Sequence, residues 1–337
     1  MSQQPKIRVD IRVPVGLPVT QMAEYILGCE QAGFDGVGVH DHQHSGRDVY
    51  VTLALAAQRT STLDLYPVTS NPVTRHPMVL AALANTLQEI APGRVKLTVG
   101  PGFLAVRSIG RPRATVEGMR EAVLSIRKLL RGDELEFGPN RTRMRNLSGS
   151  PVPIFMTAAG PRMVELAGEV ADGVLLMVGL HPKATKAARD LLERGAARAG
   201  RDLADFPVAY ITSMAVAEDP HRALRWPQRW LGPDLPWLAY PSRANFHWLR
   251  QAGIDIADDI LPEEVSDDMA ARICEAMGLF GTPEECGLQL LRAAEESGVE
   301  RVFIFPCHTV QGGYDMPAAE VEAFRDVIFP MLGRIPE

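Results

Sequence analysis

Alternation of short apolar segments with longer amphipathic ones is the feature that most constrains the fold of this chain. A run of aliphatic and β-branched residues is followed by roughly 12 to 18 residues of helical periodicity, and this unit recurs along most of the sequence. The pattern predicts eight strands, at residues 7–13, 36–40, 63–68, 94–99, 152–156, 173–177, 208–216 and 301–305.

Helices are predicted between and after these strands. Residues 132–150 contain many turn formers and are predicted to form a loop or a small hairpin. Residues 218–280 contain no predicted strand and are interpreted as an irregular helical excursion. The predicted helices cover residues 19–32, 48–58, 77–90, 115–131, 162–170, 183–199, 283–297 and 318–331.

Strands that alternate with helices indicate a parallel sheet covered by helices, and eight strands close into a barrel with a filled interior. A doubly wound open sheet is the alternative, but no GxGxxG follows the first strand, as a dinucleotide-binding unit would require. We therefore predict an α/β fold of the (β/α)8 TIM-barrel type. It forms one domain over residues 1–337, with a helical insertion at 218–280 after strand seven, and its active site lies at the carboxyl ends of the strands.

Bulk composition excludes several classes of function. A formal net charge of −6 lacks the positive field that general binding to nucleic acid or anionic membranes requires. The four cysteines include no CxxC pair, so neither a zinc site nor a disulfide framework is indicated. No signal peptide is recognised at the start, and the apolar segments are too short to cross a bilayer. We expect a cytoplasmic protein whose partner is a small-molecule substrate.

Three of the eight histidines stand close together after predicted strand two, as His40, His42 and His44. Residues two apart in extended backbone face the same side, so His40 and His42 are expected to point together. Imidazole titrates near neutrality and suits proton transfer. A metal site, which needs ligands from other strands, and a polar strand end bonded to backbone are the alternatives. The strand-end position favours catalysis or binding over a metal.

Two turns follow predicted strands three and four. Thr69 to Pro77 form a stiff polar turn before a helix, where free N–H groups suit an anion or a carbonyl oxygen. The alternative is an elaborate helix cap, with Arg75 paired to a carboxylate. Gly100 to Phe103 either let a flat ligand approach the backbone or simply make a turn.

Later segments offer candidates for a phosphate-binding site and for an aromatic wall over the barrel mouth. Small residues from Thr157 to Pro161 precede a helix and are typical of a phosphate cradle. Lys183, after strand six, is either a phosphate ligand or a solvated surface charge. All four tryptophans lie within 218–280, as a separate small core, an aromatic wall over the barrel mouth or a subunit contact.

The chain contains the segments RDVYVTLALAA, VTSNPVTRHPMVLAALANTLQEIAPGR and VKLTVGPG. Together they resemble the bacterial-luciferase-like superfamily of flavin and deazaflavin enzymes, and within it the methylenetetrahydromethanopterin reductases. The likeness extends over residues 20–180 and, more weakly, to the final strand. The stretch GFDGVGVHDH is similar to the branch that uses coenzyme F420, whereas a TRHP turn occurs in both branches.

The resemblance implies a homodimeric oxidoreductase that transfers a hydride at C5 of coenzyme F420. An FMN-dependent luciferase-like monooxygenase is the alternative. Asp41 and His42 match the family's Asp-His pair and are implied to be the catalytic residues, with His42 beside the redox centre. A bulge with a non-proline cis peptide is implied behind the ring. Implied cofactor-binding residues are His40, Val68, Thr69, Ser70, Asn71, Arg75, Gly100, Thr157, Ala158, Ala159, Gly160 and Lys183, and no metal is expected.

Two departures from the reductases bear on the substrate. The reductases carry a glutamate in the first strand, whereas the nearest acid here is Asp10, shifted by one residue, and such a shift turns a side chain to the opposite face. They also carry an acid after GPG, where this chain has Phe103. A different small organic substrate is therefore expected. A non-catalytic barrel that binds the cofactor and a metal hydrolase are further alternatives.

Overall fold

Eight parallel strands form a near-closed barrel in the computed structural model of the protein, which describes residues 7–334. Successive strands pair in parallel, β8 returns to β1, and single bridges join Leu65 to Val95 and Ser70 to Val99 between β3 and β4. The TIM-barrel prediction is confirmed, and the open sheet is wrong. Strands β1–β8 are Arg8–Val13, Gly36–His40, Asp64–Val68, Leu97–Val99, Ile154–Ala158, Gly173–Leu176, Val208–Val216 and Arg301–Pro306.

Helices cover the outside of the barrel, and their first turns follow the sequence signals. The Asp48 side chain accepts hydrogen bonds from two amides of the first turn, and Thr282 and Glu285 form a capping box. The predicted helix at 318–331 contains a π-helical turn at Phe324–Ile328. The main helices are Val19–Gln31, Val49–Arg59, Pro77–Ile90, Leu104–Arg107, Val116–Arg131, Pro161–Val170, Pro182–Arg198, Pro283–Ser297, Ala318–Ala323 and Phe329–Met331.

A buried ionic network fills the amino-terminal part of the barrel interior. Arg301, at the start of β8, donates to Asp10 at 2.8 Å and to Asp64 at 2.6 Å, and the Tyr66 hydroxyl donates to Asp10 at 2.6 Å. Alternate residues of a strand face the same side, so Arg12 also points into the barrel, one layer nearer the carboxyl ends. Asp10 is therefore satisfied within the barrel, away from its open mouth.

The predicted absence of strands from residues 218–280 is wrong. Trp230–Gly232 pairs with Leu235–Pro236, and Gly278–Gly281 adds a parallel strand to the distal end of β7. A Cβ at Gly278 would lie 1.9 Å from the carbonyl oxygen of Ser213, so this pairing requires glycine. Glycine weakens the strand signal of a sequence, which is why the pattern missed this strand. The loop or hairpin predicted at 132–150 does contain an antiparallel pair, Leu135–Phe137 with Asn140–Thr142.

The insertion has a small core of its own and also covers the barrel mouth. Trp237 and Phe246 belong to this core, whereas Trp248 packs on the barrel core and donates from Nε1 to the carbonyl of Ala159 at 2.6 Å. Two of the alternatives for the tryptophan-rich segment, a separate small core and an aromatic wall over the barrel mouth, are therefore both present. Its helical segments are Pro220–Ala223, Trp226–Gln228, Trp237–Ala239, Ala244–Gln251, Pro262–Glu264 and Asp267–Met277.

Candidate functional site

A large cavity opens at the carboxyl ends of the barrel strands, where the fold predicts the active site. It contains about 1400 Å³ of empty space, including its open mouth, and the insertion contributes Tyr240 and Pro241 to its wall. A smaller chamber beneath the insertion shares Tyr240 and Phe305 with it. This volume accommodates a ring-shaped cofactor together with a small substrate.

Most of the residues singled out in the sequence line this cavity. They come from the ends of β2, β3, β4 and β5, which the barrel brings together from positions more than 100 residues apart in the chain. The lining members of the predicted set are His40, Asp41, His42, Val68, Thr69, Asn71, Gly100, Thr157, Ala159 and Gly160.

Four predicted residues do not line the cavity. Ser70 and Arg75 lie behind its wall, where both bond to Asp41. Ala158 is buried as the last residue of β5, so the predicted end of this strand at residue 156 is two residues early. Lys183 is exposed in the first turn of Pro182–Arg198, which fits a solvated surface charge; its role as a phosphate ligand stays a prediction.

Asp41 is the centre of a buried hydrogen-bond network. Its Oδ2 accepts from Ser70 Oγ at 2.6 Å and from Arg75 Nη1 at 2.5 Å, and its Oδ1 accepts from Gln43 at 2.8 Å. Arg75 also pairs with Asp48 at 2.8 Å. Burial raises the pKa of the Asp41 carboxyl, and the bonds from Arg75 and Ser70 offset part of that rise. With these bonds in place, Asp41 fixes the end of β2 and thereby positions His40 and His42.

The end of β3 forms a second wall of the cavity. The peptide bond between Val68 and Thr69 is cis, as the resemblance implied, and Thr69 Oγ1 bonds to Thr157 Oγ1 at 2.8 Å. Asn71 is fully buried; its Oδ1 accepts from the amides of Val73 and Thr74, which orients the side chain. Its Nδ2 has no hydrogen-bond partner among residues 7–334. A buried amide donor without a partner fits a carbonyl oxygen of a bound ligand.

The three clustered histidines form a path from the cavity to the surface. The rings of His40 and His42 stack with centroids 4.3 Å apart, which confirms that they face the same side. The Tyr314 hydroxyl lies 2.8 Å from His42 Nδ1 and 2.9 Å from His44 Nε2. His42 is 6% exposed, whereas His44 is exposed. A single hydroxyl thus joins a buried imidazole to one in contact with solvent.

Burial keeps the inner histidines neutral near pH 7. It lowers the pKa of His42 to about 4, with further contributions from His44 and Arg12, and it also lowers the pKa of His308 to about 4. The pKa of His40 lies well below its usual value, again because of burial and then Arg12. Arg12 Nη2 lies 3.3 Å from His40 Nδ1; because arginine only donates, this nitrogen accepts, and the ring proton is on Nε2.

We expect the free energy of unfolding to fall on acidification between about pH 6.5 and pH 4. In this window the unfolded chain binds protons at His42 and His308 that the folded protein excludes, so stability is full above the unfolded pKa and is lost towards the folded one. Each histidine is expected to contribute roughly 2–3 kcal/mol to this loss. Urea titrations at stepped pH on the wild-type protein and a His42→Gln/His308→Gln double variant measure the difference. In the control variant His221→Gln, at an exposed position, the free energy of unfolding is expected to depend on pH as in the wild-type protein. If the double variant also shows the wild-type pH dependence, the expectation is wrong.

Several residues of the site escaped the sequence analysis. Arg12, two residues after Asp10 in β1, was detectable as a charge on the inward face of an apolar strand. Tyr314 reaches the site from the short helical turn Gln311–Tyr314 after β8 and carried no local signal. Arg113, which follows β4, lines the cavity with its guanidinium 4.5 Å from the centroid of the Phe103 ring and was not singled out in the sequence.

Two features are absent from the described residues, a metal-binding group of side chains and a membrane-spanning helix. Within residues 7–334 no group of three or more His, Cys, Asp or Glu side chains is arranged to hold a metal ion. The same part of the chain has no helix with both the length and the apolar character needed to span a bilayer.

Curated relatives resemble the chain over most of its length. A 5,10-methylenetetrahydromethanopterin reductase of Archaeoglobus fulgidus is 33% identical over 84% of this chain and 88% of that protein. An F420-dependent glucose-6-phosphate dehydrogenase of Rhodococcus erythropolis is 28% identical over 86% of this chain and 88% of that protein. For a reductase of Methanolobus tindarius, 36% identical, the alignment covers 61% of this chain and 64% of that protein, just under two thirds of its length.

Solved structures and a family model complete the comparison. The coenzyme F420-dependent tetrahydromethanopterin reductase of Methanopyrus kandleri superposes with a TM-score of 0.70 at 23% identity, covering 97% of this chain and 99% of that one, a likeness of fold. The model of the luciferase-like monooxygenase family matches residues 4–301. The match covers far more than half of the sequence and agrees with the barrel and the site at its mouth. The chain therefore belongs to the luciferase-like monooxygenase family.

Proposed function

We propose that the protein is a coenzyme F420-dependent oxidoreductase that exchanges a hydride between C5 of the deazaflavin and a small organic substrate. Membership of the family makes it an oxidoreductase, and relatives named for reductase and F420-dependent dehydrogenase activity support the deazaflavin over FMN. The observation that carries the proposal is the open cavity with the His42–Tyr314–His44 path at its inner wall. Homodimer formation and the cytoplasmic location stay predictions.

The residues at the cavity wall fit a planar cofactor. Asn71 offers a buried, unpartnered amide to a ring carbonyl. Gly100 lets the end of β4 pack closely against the bonded pair Thr69 and Thr157 in the cavity wall, because a Cβ at Gly100 would lie only 2.9 Å from Thr69 Cγ2. Arg113 and the amino-terminal end of the helix Pro161–Val170 would hold an anionic tail of the cofactor. When bound, the deazaflavin supplies two-electron hydride chemistry.

The proton that accompanies hydride exchange is assigned to His42. Its neutral imidazole takes a proton from a substrate hydroxyl, or returns one, at the nitrogen that faces the cavity. The Tyr314 hydroxyl has one proton, so it donates to one of its two imidazole partners and accepts from the other. Reversal of both bonds moves a proton between His42 and exposed His44. Asp41 acts as a positioning residue for this path.

Equilibrium titration with coenzyme F420 and with FMN tests the proposed function. We expect the wild-type protein to bind F420 at micromolar or lower concentration and at least about 10-fold more tightly than FMN. A Gly100→Leu variant is expected to lose at least about 100-fold in F420 affinity, because the added side chain would displace the bonded pair Thr69 and Thr157 from the cavity wall.

A matched control is Gly28→Leu, since a Cβ at Gly28 on the outer helix Val19–Gln31 would meet no atom within 4 Å. This variant is expected to bind F420 like the wild-type protein. FMN binding without F420 binding would reverse the assignment in favour of a flavin monooxygenase. Binding of F420 without reduction or oxidation by any substrate class would favour a barrel that only stores the cofactor.

A further inference from the structure

Arg12 is a buried cation without a counter-ion. The residue is 2% exposed, and its Nη2 donates to the carbonyl of Gly313 at 2.8 Å and to His40 Nδ1 at 3.3 Å. Its Nε has no partner, and neither Nη1 nor any other nitrogen of Arg12 forms an ion pair or a further hydrogen bond with residues 7–334. Since a guanidinium has five N–H groups, three of them remain without a partner.

Other buried arginines of this protein are satisfied. Arg301 and Arg75, each with an 11% exposed side chain, pair with two carboxylates apiece. Arg94, which ties loops together through backbone and hydroxyl oxygens, makes four hydrogen bonds with its two terminal nitrogens. Arg12 matches neither the paired nor the structural pattern. An unpaired buried charge is costly, and such groups are retained where they act on a ligand.

Within residues 7–334, the groups that face Arg12 carry no charge of their own, so its positive charge is not balanced. The facing groups are His40, His42 and His308, whose pKa values are lowered by burial, and Tyr240 and Tyr314, whose pKa values are raised by burial. All five are therefore neutral at pH 7. A ligand that balances this site carries a single negative charge.

The shape of the surroundings indicates an organic acid. The Arg12 guanidinium lies over the Phe305 ring at 4.9 Å from its centroid, and Phe305 lines both the large cavity and the chamber beneath the insertion. Tyr240 and Met177 extend the same apolar wall. Arg12 does not itself line either space; its neighbours His40 and Phe305 line the large cavity, so its guanidinium lies directly behind this part of the wall. An anion that passes between these side chains has aromatic and aliphatic surface along its body.

We propose that Arg12 binds the carboxylate of the substrate, which makes the substrate an organic monocarboxylic acid. The assignment deepens the proposed function, because it states which class of molecule meets the cofactor in the cavity. Arg12 sets specificity through its attraction for a single negative charge, and the neutral imidazole of His40 accepts a hydrogen bond that orients the guanidinium.

Binding of simple carboxylates tests this proposal without a known substrate. Acetate and benzoate are compared with acetamide and benzamide, their neutral isosteres, by calorimetric titration of the F420-saturated protein and of the cofactor-free protein. We expect benzoate to bind at least about 10-fold more tightly than benzamide to the wild-type protein. Arg12→Met abolishes this preference, and Arg12→Lys keeps part of it because the charge remains.

The control variant is Arg8→Met, in the same strand with a 47% exposed side chain, which is expected to retain the preference for benzoate. The unfolding midpoint of Arg12→Met is expected to equal or exceed that of the wild-type protein, since the variant removes an uncompensated buried charge. Equal binding of benzoate and benzamide to the wild-type protein overturns the proposal, as does a preference that survives in Arg12→Met.

Two further outcomes show whether the anion bound by Arg12 belongs to the substrate or to the cofactor, and whether the anion site or the proposed cofactor fails. If Arg12→Met loses F420 affinity at least about 10-fold while the wild-type protein shows no preference for benzoate, the anion belongs to the cofactor and the substrate assignment is wrong. If the wild-type protein binds no F420 but still prefers benzoate, the anion site stands and the proposed cofactor fails.

Discussion

Replacement of Asp41 by alanine is expected to lower the free energy of unfolding by about 3–5 kcal/mol. The variant removes the buried partner of Arg75, whose side chain is 11% exposed, and leaves that guanidinium with the half-exposed carboxylate of Asp48 alone. It also leaves the buried Ser70 hydroxyl without the acceptor at 2.6 Å. Breaking a buried pair from one side is expensive because the remaining charge stays desolvated. Denaturant unfolding at pH 7 measures the loss.

Asp48→Ala is the matched comparison, since it removes the other carboxylate of the same arginine. Its side chain is 46% exposed and also caps Val49–Arg59, so a cost of about 1 kcal/mol is expected. A similar loss for Asp41→Ala and Asp48→Ala would show that the buried network does not stabilise the end of β2. The F420 titration of Asp41→Ala then reports separately on the positions of His40 and His42.

Gly195→Ala is expected to destabilise the protein by at least about 3 kcal/mol. A Cβ at Gly195 would lie 1.8 Å from the carbonyl oxygen of Glu165, and a Cβ at Gly168 would lie 2.0 Å from that of Leu192. The helices Pro161–Val170 and Pro182–Arg198 therefore touch backbone to backbone at two reciprocal glycines. A carbonyl oxygen within a helix cannot rotate away, so the helices must separate and lose packing along their length.

Gly28→Ala is the control for this change, because a Cβ there meets no atom within 4 Å. It lies within Val19–Gln31 and is expected to be neutral or to stabilise by up to about 1 kcal/mol, as alanine has the higher helix propensity. If the free energy of unfolding of Gly195→Ala lies within about 0.5 kcal/mol of the wild-type value, the two helices separate at little cost and the prediction is wrong. Both variants are compared by urea unfolding, where the slope also reports any change in compactness.

Much of the barrel was predictable because the signals involved are local. Gly36–His40, Val208–Val216 and Pro77–Ile90 have the predicted bounds, since buried parallel strands are apolar along their length and helices begin at side-chain caps or prolines. The order of these elements then indicated the closed barrel, and the barrel indicated the end of the strands where the cavity lies.

The strand Gly278–Gly281 shows where such signals fail. Gly278 is required because Ser213 of β7 approaches so closely, and a contact of that kind leaves no trace in local propensity. The predicted end of β5 failed for a related reason. Thr157 looks like a turn residue in the sequence, but its hydroxyl bonds to Thr69, 88 positions away, within the strand.

Periodicity and motifs in the chain were enough to specify the (β/α)8 barrel, the family and most of the cavity wall, because each of these depends on neighbours within one strand or one helix. The partners of the polar groups depended on the folded shape. Tyr314 meets His42 across 272 positions, and Arg12 has neighbours from β2 and β8 but forms no ion pair with a carboxylate of the part of the chain that the structure describes. Whether a charge is balanced depends on the groups that surround it in space. The sequence therefore could not predict that Arg12 is unpaired, and only the folded barrel shows it.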